Sequence, residues 1–265
     1  MLRLTFLGTG TSQGVPMIGC DCEVCRSDDM HDKRLRSSAM IEYFSNPHDD
    51  DPKNRIIIDS GPDFRFQMLR ENVKWIDAIL LTHEHKDHIA GLDDVRAFNY
   101  FQQKATPVYA SERTAGIVEK DFDYAFEELK YPGAPEIDLR IINPELQFEA
   151  GGLTVTPING LHYRLPVMGF RVGRLAYLTD FNSIPETEIK KLRGVEILVI
   201  NALRHEKHIS HYTVEEAIET GKLIGARETF FTHMSHQVGL YRDIKGILPE
   251  RFNFAYDGLK IEIQK

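Results

Sequence analysis

The stretch Leu80-Leu81-Thr82-His83-Glu84-His85-Lys86-Asp87-His88 decides the fold, because an apolar run leads directly into three histidines and an aspartate. Side chains alternate along a strand, so His83 and His85 are expected to project to one side of the strand end. Asp87 and His88 follow at the turn into the next helix and can face a neighbouring point. Two imidazoles for one ion, and a carboxylate with an imidazole for a second, are what a dinuclear metal site requires. A solvated polar loop is the alternative.

Further ligands must come from elsewhere, because this motif cannot complete two coordination spheres. Three distant segments share one design, a strand that ends in a ligand residue: Thr156–His162, Leu175–Asp180 and Thr229–His233. An aspartate just after an apolar strand can bridge two divalent ions with its two oxygens. A single strand-end aspartate or histidine is more often a turn residue, but the set of three indicates a metal centre.

The three cysteines, Cys20, Cys22 and Cys25, all lie within six residues. An odd, crowded set is a poor disulfide framework and a good half-site for a soft metal. Structural zinc usually takes four ligands, and the fourth could be His31, close in sequence, or the distant His236. A redox cluster and incidental surface cysteines are the alternatives.

Composition sets the class of protein. The chain has 265 residues, of which 42% are hydrophobic and 27% charged, as in ordinary globular proteins. We expect one domain over residues 1–265, without a signal peptide or a membrane span, located in the cytoplasm. The net charge of −8 argues against binding nucleic acid through a generally basic surface, and a membrane partner is not expected either.

Short β-rich runs alternate with helical stretches, which predicts an α/β sandwich in which each half supplies a sheet. The predicted strands are Leu2–Leu7, Ser38–Phe44, Arg55–Asp59, Asp77–Thr82, Pro107–Tyr109, Leu153–Ile158, Met168–Val172, Leu175–Thr179, Glu196–Asn201, Glu228–Thr232 and Lys260–Ile263. The predicted helices are Asp63–Glu71, Gly91–Phe101, Arg113–Phe126, Pro185–Leu192, Val214–Ile224 and Tyr241–Leu248. Thr213 and Glu216 have the spacing of a capping box, which places one helix start.

His211 lies just before the helix that Thr213 begins. The N-terminal end of a helix exposes N–H groups and carries positive potential, which suits a phosphoryl oxygen. His211 is therefore a candidate general acid or phosphate-stabilising group, although the helix dipole lowers the pKa of a histidine placed there. His205 and His208 are expected to be solvated loop residues. Asp59 is either a partner that orients a ligand histidine or a buried turn aspartate.

The chain resembles the metallo-β-lactamase superfamily, whose H-x-H-x-D-H signature appears as His83 to His88. Within it, the chain is similar to the branch of the tRNA 3′-processing endonucleases and the cyclic phosphodiesterase of the carbon–phosphorus lyase (phosphonate) pathway. The motifs that carry this are Leu7-Gly-Thr-Gly-Thr-Ser-Gln-Gly14, the cysteine cluster, Asp59-Ser-Gly61 and Thr232-His-Met-Ser-His236. The glycines of the first motif match no nucleotide-binding fingerprint and indicate a tight turn.

The resemblance implies a four-layer αββα sandwich with two divalent metals, Zn²⁺ or Mn²⁺, in the active site and one structural Zn²⁺. One active-site ion would be held by His83, His85 and His162, the other by Asp87, His88 and His233, with Asp180 bridging. The structural zinc would be held by Cys20, Cys22, Cys25 and His236, although His236 could instead join His233 on one ion. In the endonuclease branch an H-x-T segment carries a catalytic histidine, and His211-Tyr-Thr213 matches it.

The function that the resemblance implies is a metal-dependent phosphodiesterase acting on a small cyclic phosphate diester, such as 5-phosphoribosyl 1,2-cyclic phosphate. A dinuclear-metal-bound hydroxide would attack phosphorus, with Asp87 and His211 as the catalytic residues. The partner would be this small phosphodiester, and a homodimer is possible in this superfamily. The alternatives are a tRNA 3′-processing nuclease, a pyrroloquinoline-quinone biosynthesis protein, and a metal-holding interaction protein without catalysis.

Overall fold

A computed structural model describes residues 1–129 and 131–264. The chain divides into two compact units. The first contains residues 1–7, 38–154 and the segment from Lys260 onward, and the second contains Gly8–Ser37 and Val155–Leu259. The single domain over residues 1–265 stays a prediction. No helix in the described ranges has the length and apolar character needed to cross a bilayer.

The described residues form fourteen strands and eight α-helices. The strands are β1 (Leu2–Gly8), β2 (Ser38–Tyr43), β3 (Asn54–Ile58), β4 (Ala78–Leu80), β5 (Thr106–Ala110), β6 (Ile137–Ile141), β7 (Phe148–Ala150), β8 (Leu153–His162), β9 (Leu165–Val172), β10 (Leu175–Leu178), β11 (Ile197–Asn201), β12 (Glu228–Thr232), β13 (Phe252–Phe254) and β14 (Lys260–Ile263). The helices are α1 (Glu23–Arg26), α2 (Phe64–Arg70), α3 (Lys86–Ile89), α4 (Arg96–Gln102), α5 (Glu112–Asp121), α6 (Glu186–Lys191), α7 (Val214–Ile224) and α8 (Tyr241–Ile244).

Two seven-stranded mixed sheets are present, with the strand orders β14-β1-β2-β3-β4-β5-β6 and β13-β12-β11-β10-β9-β8-β7. Strands β3 to β6 are parallel in the first, and β10 to β13 are parallel in the second. Parallel strands end at the same edge of their sheet, so residues just after β3 and β4 come together, as do residues just after β10 and β12. This is how the sequence gathers its ligand residues within each unit.

Each unit has its own apolar core between its sheet and its helices. In the first unit Phe64 of α2 and Val118 of α5 belong to one buried cluster with Ile57 and Ile79. In the second unit the buried cluster joins helix α7 to strands β11 and β12, through Val214, Ala217, Leu198 and Phe231. The alternation of strands and amphipathic helices in the sequence therefore gives the α/β class that it predicts.

The capping box predicted at Thr213 is confirmed. The Thr213 hydroxyl accepts the Glu216 amide N–H at 3.1 Å, and the Glu216 carboxylate accepts the Thr213 amide N–H at 3.0 Å. Helix α7 ends where Gly225 takes a left-handed conformation, with φ of 74°. These two signals fix the helix to its predicted bounds, Val214–Ile224, and so fix the position of the loop that precedes it.

Candidate metal centres

In the first unit, the histidine motif continues from the end of β4 into the short helix α3, which carries Asp87 and His88. The His83 ring lies 4.6 Å from the His85 ring and 4.3 Å from the His88 ring, measured between centroids. His83 and His88 are fully buried. The fold thus brings these histidines together, and Asp87 Oδ2 lies 3.2 Å from His88 Nε2.

Asp59, which follows β3, orients the His88 ring. Its Oδ2 accepts the His88 Nδ1–H at 2.7 Å and the Thr82 hydroxyl at 2.8 Å, while Oδ1 accepts the Thr82 amide N–H at 2.8 Å. Burial raises the pKa of the Asp59 carboxyl, and the adjacent His88 ring acts in the opposite direction. A proton on His88 Nδ1 leaves Nε2 with the lone pair that a metal needs. Asp59 is therefore both a buried turn aspartate and the partner that orients His88, a candidate ligand.

His83 is oriented by the same small network. Its Nδ1 lies 3.0 Å from the Thr82 hydroxyl. Because that hydroxyl already donates its hydrogen to Asp59, its oxygen accepts the His83 Nδ1–H. The Nε2 of His83 is thereby also left as the donor atom for a metal, so one aspartate sets the tautomer of two histidines, one of them through a threonine.

In the second unit, His162 ends β8 and its Nδ1–H donates to the Ser210 carbonyl oxygen at 2.8 Å. This again assigns Nε2 as the available ligand nitrogen. Ligand atoms of His162, Asp180 and His211 all lie within 4.8 Å of one another. All three side chains are buried, as a site shielded from bulk water requires.

His233, after β12, is held through both ring nitrogens. Its Nε2 lies 3.3 Å from the Thr11 hydroxyl, while its Nδ1 lies 3.2 Å from Asp180 Oδ2. The Nδ1 is also 3.5 Å from the hydroxyl of Thr179, which itself donates to Asp180 Oδ2 at 2.7 Å. Thr11 belongs to the glycine-rich opening motif, so this turn supports a ligand histidine. At Gly10, a Cβ would lie 2.7 Å from the Arg34 carbonyl oxygen, which explains the glycine there.

His211 lies among these residues, directly before α7. Its ring centroid is 4.5 Å from that of His162 and 4.9 Å from that of His233, and its Nδ1 is 3.7 Å from Asp180 Oδ1. Burial lowers the pKa of His211 to about 2, although the Asp180 carboxylate raises it. The ring is therefore neutral at pH 7. Among the described residues its buried Nδ1 has no hydrogen-bond partner, as expected for a group that meets a ligand.

Three of these residues adopt left-handed backbone conformations that glycine would prefer. The φ angles are 61° at Asp59, 64° at Asp180 and 55° at His233. Each follows a strand by one or two residues. Aspartate and histidine tolerate this region better than most residues, but it still costs about 1 kcal/mol or more and is concentrated at functional sites.

The cysteine cluster lies within the second unit and includes His236 rather than His31. The Nδ1 of His236 is 3.1 Å from Cys22 Sγ and 3.5 Å from Cys20 Sγ, and the ligand atoms of all three cysteines and His236 lie within 4.8 Å. The three cysteines are free thiols. His31 instead pairs with Asp29 at 2.7 Å. Of the open alternatives, this geometry supports a four-ligand site and separates His236 from a shared ion with His233.

The thiols of Cys22 and Cys25 differ in acidity. Burial raises the pKa of Cys22, but hydrogen bonds with His236 and the cluster outweigh it and lower that pKa to about 6. Burial raises the pKa of Cys25 to about 11, with Cys20 and Cys22 acting in the same direction. Three thiols in this space cannot all ionise without a cation, so the cluster fits a metal that would hold them as thiolates.

Several supporting residues were missed by sequence reasoning. His208, expected to be solvated, is half-buried, and its ring centroid lies 5.1 Å from that of His211. Asp257 accepts the Thr9 amide N–H at 2.9 Å and the Thr9 hydroxyl at 2.8 Å, so it fixes the opening turn. The three-residue spacing between His208 and His211 is a weak sequence signal that could have indicated that His208 lies near His211. Nothing in the sequence singles out Asp257.

Similarity to known proteins identifies the family. A profile of the beta-lactamase superfamily domain matches residues 54–234. A crystallised diphosphatase from the PhnP family is 40% identical, with a TM-score of 0.89, over 100% of this chain and 98% of its own. The chain belongs to the PhnP family of the β-lactamase superfamily. This confirms the predicted fold class, the metallo-β-lactamase fold, which implies divalent metal binding.

Two further proteins resemble this PhnP-family member. An octanoyltransferase from Porphyromonas gingivalis is 42% identical over 100% of this chain and 52% of its own length. The chain thus spans about half of that relative. Zinc-bound PqqB from Methylobacterium extorquens is 18% identical, with a TM-score of 0.73, over 98% of this chain and 100% of its own, and shares the fold.

Proposed function

We propose that the chain is a divalent-metal phosphodiesterase that cleaves a small cyclic phosphate diester, such as 5-phosphoribosyl 1,2-cyclic phosphate. The observation that carries the proposal is the tautomer control described above. For His88, His83 and His162, a hydrogen bond of the protein occupies Nδ1 and leaves Nε2 with its lone pair. Solvated or purely structural histidines have no need of such uniform orientation, whereas metal ligands do.

The proposed ligand set is the one that the family resemblance implies. One ion would be held by His83, His85 and His162, the other by Asp87, His88 and His233, and Asp180 would be shared between them. When bound, two divalent ions would neutralise phosphate oxygens and lower the pKa of a water nucleophile. The imidazole and carboxylate donors suit zinc, manganese or iron.

The residues of the chain have separate tasks in this reaction. Asp87 accepts a hydrogen bond from the attacking water and so orients it toward phosphorus. His211 has a pKa near 2 and is neutral at pH 7, so it does not deliver a proton as an acid in the resting protein. Its remaining N–H instead donates a hydrogen bond to the departing oxygen. This favours the phosphate-stabilising role over the general-acid role for His211.

A diphosphatase is the second candidate, because the similar PhnP-family structure carries that name. A diphosphate link and a cyclic diester are both cleaved by attack of water on phosphorus with departure of an oxygen, so the same metal and histidine arrangement could serve both. Assaying 5-phosphoribosyl 1,2-cyclic phosphate beside a sugar-linked nucleoside diphosphate separates the two. Faster turnover of the diphosphate would move the assignment to the second candidate.

We do not assign octanoyl transfer to this chain. The name octanoyltransferase belongs to a relative of which this chain matches 52%. We place that activity in the part of the relative that this chain does not match, since the residues gathered here are metal ligands rather than an acyl-transfer nucleophile. Transfer of an octanoyl group by this purified chain would contradict that assignment.

The test is to purify the protein without chelator, count its metals and assay it on the cyclic diester and bis-p-nitrophenyl phosphate. We expect two ions at the histidine–aspartate ligands, one at the cysteines, and turnover restored by manganese or zinc. Asp180→Ala should abolish turnover while the circular dichroism stays native. Asp180→Gly removes the strain of the left-handed backbone conformation, so it should be as inactive as Asp180→Ala but more stable than that variant. Full activity of metal-free Asp180→Ala would refute the proposal.

A further inference from the structure

The loop before α7 carries a histidine that the proposed reaction does not use. The His208 ring centroid lies 5.1 Å from that of His211, and the His211 centroid lies 4.5 Å from that of His162. The rings of His162, His211 and His208 therefore lie side by side in that order, and His162 is a proposed metal ligand. A substrate group bound beside the reacting phosphoryl group, on the His211 side, would meet this ring.

The protonated nitrogen of His208 is fixed by its neighbour. The amide N–H of Ser210 donates to His208 Nδ1 at 3.4 Å, and the Ser210 hydroxyl lies 3.3 Å from the same nitrogen. An N–H group can only donate, so Nδ1 carries the lone pair and the neutral ring has its proton on Nε2. The ring thus presents one N–H donor on the side away from Ser210. The carbonyl of that same serine orients His162.

The charge beside His208 is positive. Burial, and then the nearby Arg204 guanidinium, lower the pKa of His208. That guanidinium is held by the Glu206 carbonyl oxygen at 3.2 Å and the Gln237 side-chain oxygen at 2.8 Å. His205, in the same loop, differs because its Nδ1 pairs with the Glu215 carboxylate at 2.7 Å. Within residues 131–264, no ion pair to a carboxylate is seen for His208. A fixed N–H donor near a fixed cation is suited to an anion.

We infer that His208 is a specificity-determining residue whose Nε2–H donates to a second anionic phosphoryl group of the substrate. This rests on the proposed function and narrows its substrate class to phosphate esters that carry two phosphoryl groups. Both candidate substrates meet the requirement. 5-Phosphoribosyl 1,2-cyclic phosphate has its 5-phosphate, and a diphosphate has the phosphoryl group adjacent to the one attacked.

The first experiment compares two substrates that differ only in this group, 5-phosphoribosyl 1,2-cyclic phosphate and ribose 1,2-cyclic phosphate. In metal-loaded protein, His208→Ala should raise KM for the first about 10- to 100-fold, as expected for a lost hydrogen bond to a charged group, and leave the second within about twofold. His208→Gln, which keeps an N–H donor near the Nε2 position, should recover most of the loss. His205→Ala is the matched control and should change neither substrate.

An equal loss on both substrates, or no loss on either, overturns the inference. The first outcome would assign His208 a structural role, and the second would leave it without contact to substrate. Recovery by His208→Gln with loss confined to the doubly phosphorylated substrate supports it, because a role in holding the loop would affect both substrates alike.

A binding measurement separates this inference from the proposed function. Calorimetry on the metal-loaded protein would compare methylenediphosphonate, which cannot be hydrolysed, with inorganic phosphate. His208→Ala should weaken binding of the diphosphonate but not of inorganic phosphate. The factor should equal the rise in KM for 5-phosphoribosyl 1,2-cyclic phosphate. If the wild type cleaves neither cyclic diester but shows this selective loss, the proposed function fails and the inference stands. If neither anion depends on His208, the inference fails whatever the protein cleaves.

Discussion

Replacing Asp59 by asparagine tests whether tautomer control governs metal binding. The aspartate accepts three hydrogen bonds, two from Thr82 and one from His88 Nδ1–H. Asparagine has the same shape and keeps one carbonyl oxygen, which can still accept the Thr82 amide. Its NH₂ group then replaces Oδ2 and faces two donors, the Thr82 hydroxyl and the His88 ring, so the network cannot be satisfied as before.

The magnitude follows from these contacts. Asp59 and His88 are both fully buried, and a buried hydrogen bond to a charged group contributes about 1.5–3 kcal/mol. If the His88 ring keeps its tautomer, this bond is lost. If it changes tautomer, the proton moves to Nε2, and a protonated Nε2 cannot bind a metal. Either way we expect the affinity for the ion held by His88 to fall about 10- to 100-fold.

The assay is a competition titration of zinc against a chromophoric chelator, with the cysteine site as an internal reference in the same molecule. Glu42→Gln is the matched control, because Glu42 is a buried carboxylate of the same unit that accepts hydrogen bonds from Arg3 and Arg55. It should lower the free energy of unfolding and leave the active-site affinity unchanged. The reasoning is refuted if Asp59→Asn binds zinc like the wild type, or if both variants lose affinity equally.

Three further changes probe other parts of the structure. Cys25→Ser should release one zinc ion per chain, measured with a colorimetric zinc reagent, and lower the thermal midpoint; an unchanged zinc count would contradict the four-ligand cluster. Gly160→Ala should lower the free energy of unfolding by about 1–3 kcal/mol in urea titrations, because its Cβ would lie within van der Waals overlap of the Phe181 ring; a neutral effect would contradict this close packing. Thr11→Val should weaken zinc binding about tenfold by removing the hydroxyl that holds the His233 ring at Nε2, and a selective effect on stability alone would contradict that role.

Most of the secondary structure could be predicted from the sequence, and the strands that were missed have a common position. Every predicted strand overlaps an observed one, whereas β6, β7 and β13 were not predicted. All three are edge strands of their sheets. An edge strand has a partner on one side only and is less buried, so its sequence carries a weaker pattern; in β6 only Ile137 is buried.

Strand β8 shows why a predicted boundary was wrong. The predicted strand Leu153–Ile158 stops before Asn159 and Gly160, which are typical turn residues, whereas the segment Thr156–His162 is also predicted to be a strand that ends in a ligand residue. The strand continues to His162, since β9 pairs with it through the register His162↔Leu165. The small glycine is needed for close packing rather than for a turn. Tertiary pairing therefore overrides the local signal, and it is this extension that carries His162 to the sheet edge.

The predicted helices also overlap observed ones, but their internal form differs. The predicted helix Gly91–Phe101 is a 3₁₀ segment, Leu92–Val95, followed by α4. The predicted helix Arg113–Phe126 ends as α5 at Asp121 and gives way to a second 3₁₀ segment at residues 123–125. Hydrophobic period alone cannot separate α from 3₁₀ turns over so few residues.

The candidate site was predictable to the extent that its chemistry resides in side chains. Histidines and aspartates at strand ends are visible in the sequence, and so is a cysteine cluster. Ser210 is different, because it acts on His162 through its backbone carbonyl, and any residue type supplies a carbonyl. Thr11 and Thr82 act through hydroxyl oxygens that are equally common on ordinary surfaces. Their roles follow only from the fold, which brings distant segments within hydrogen-bond distance.

Backbone strain gives an independent reason to regard the strand-end residues as functional. Asp59, Asp180 and His233 all hold φ angles of 55–64°, where glycine would be favoured. In each case the amide of the following residue is held by a hydrogen bond. The pairs are Ser60 to the His88 carbonyl at 2.8 Å, Phe181 to the Asn201 side-chain oxygen at 2.7 Å, and Met234 to the Thr9 carbonyl at 2.9 Å.

These hydrogen bonds keep the chain in the left-handed conformation whichever residue occupies the position. Glycine would relieve the backbone strain at all three positions, yet the sequence has two carboxylates and an imidazole. A purely structural site would not retain three such exceptions at the ends of strands. The left-handed turn directs Asp59 to His88 and sets the His233 ring beside Asp180, and these are orientations that the proposed metal site would use.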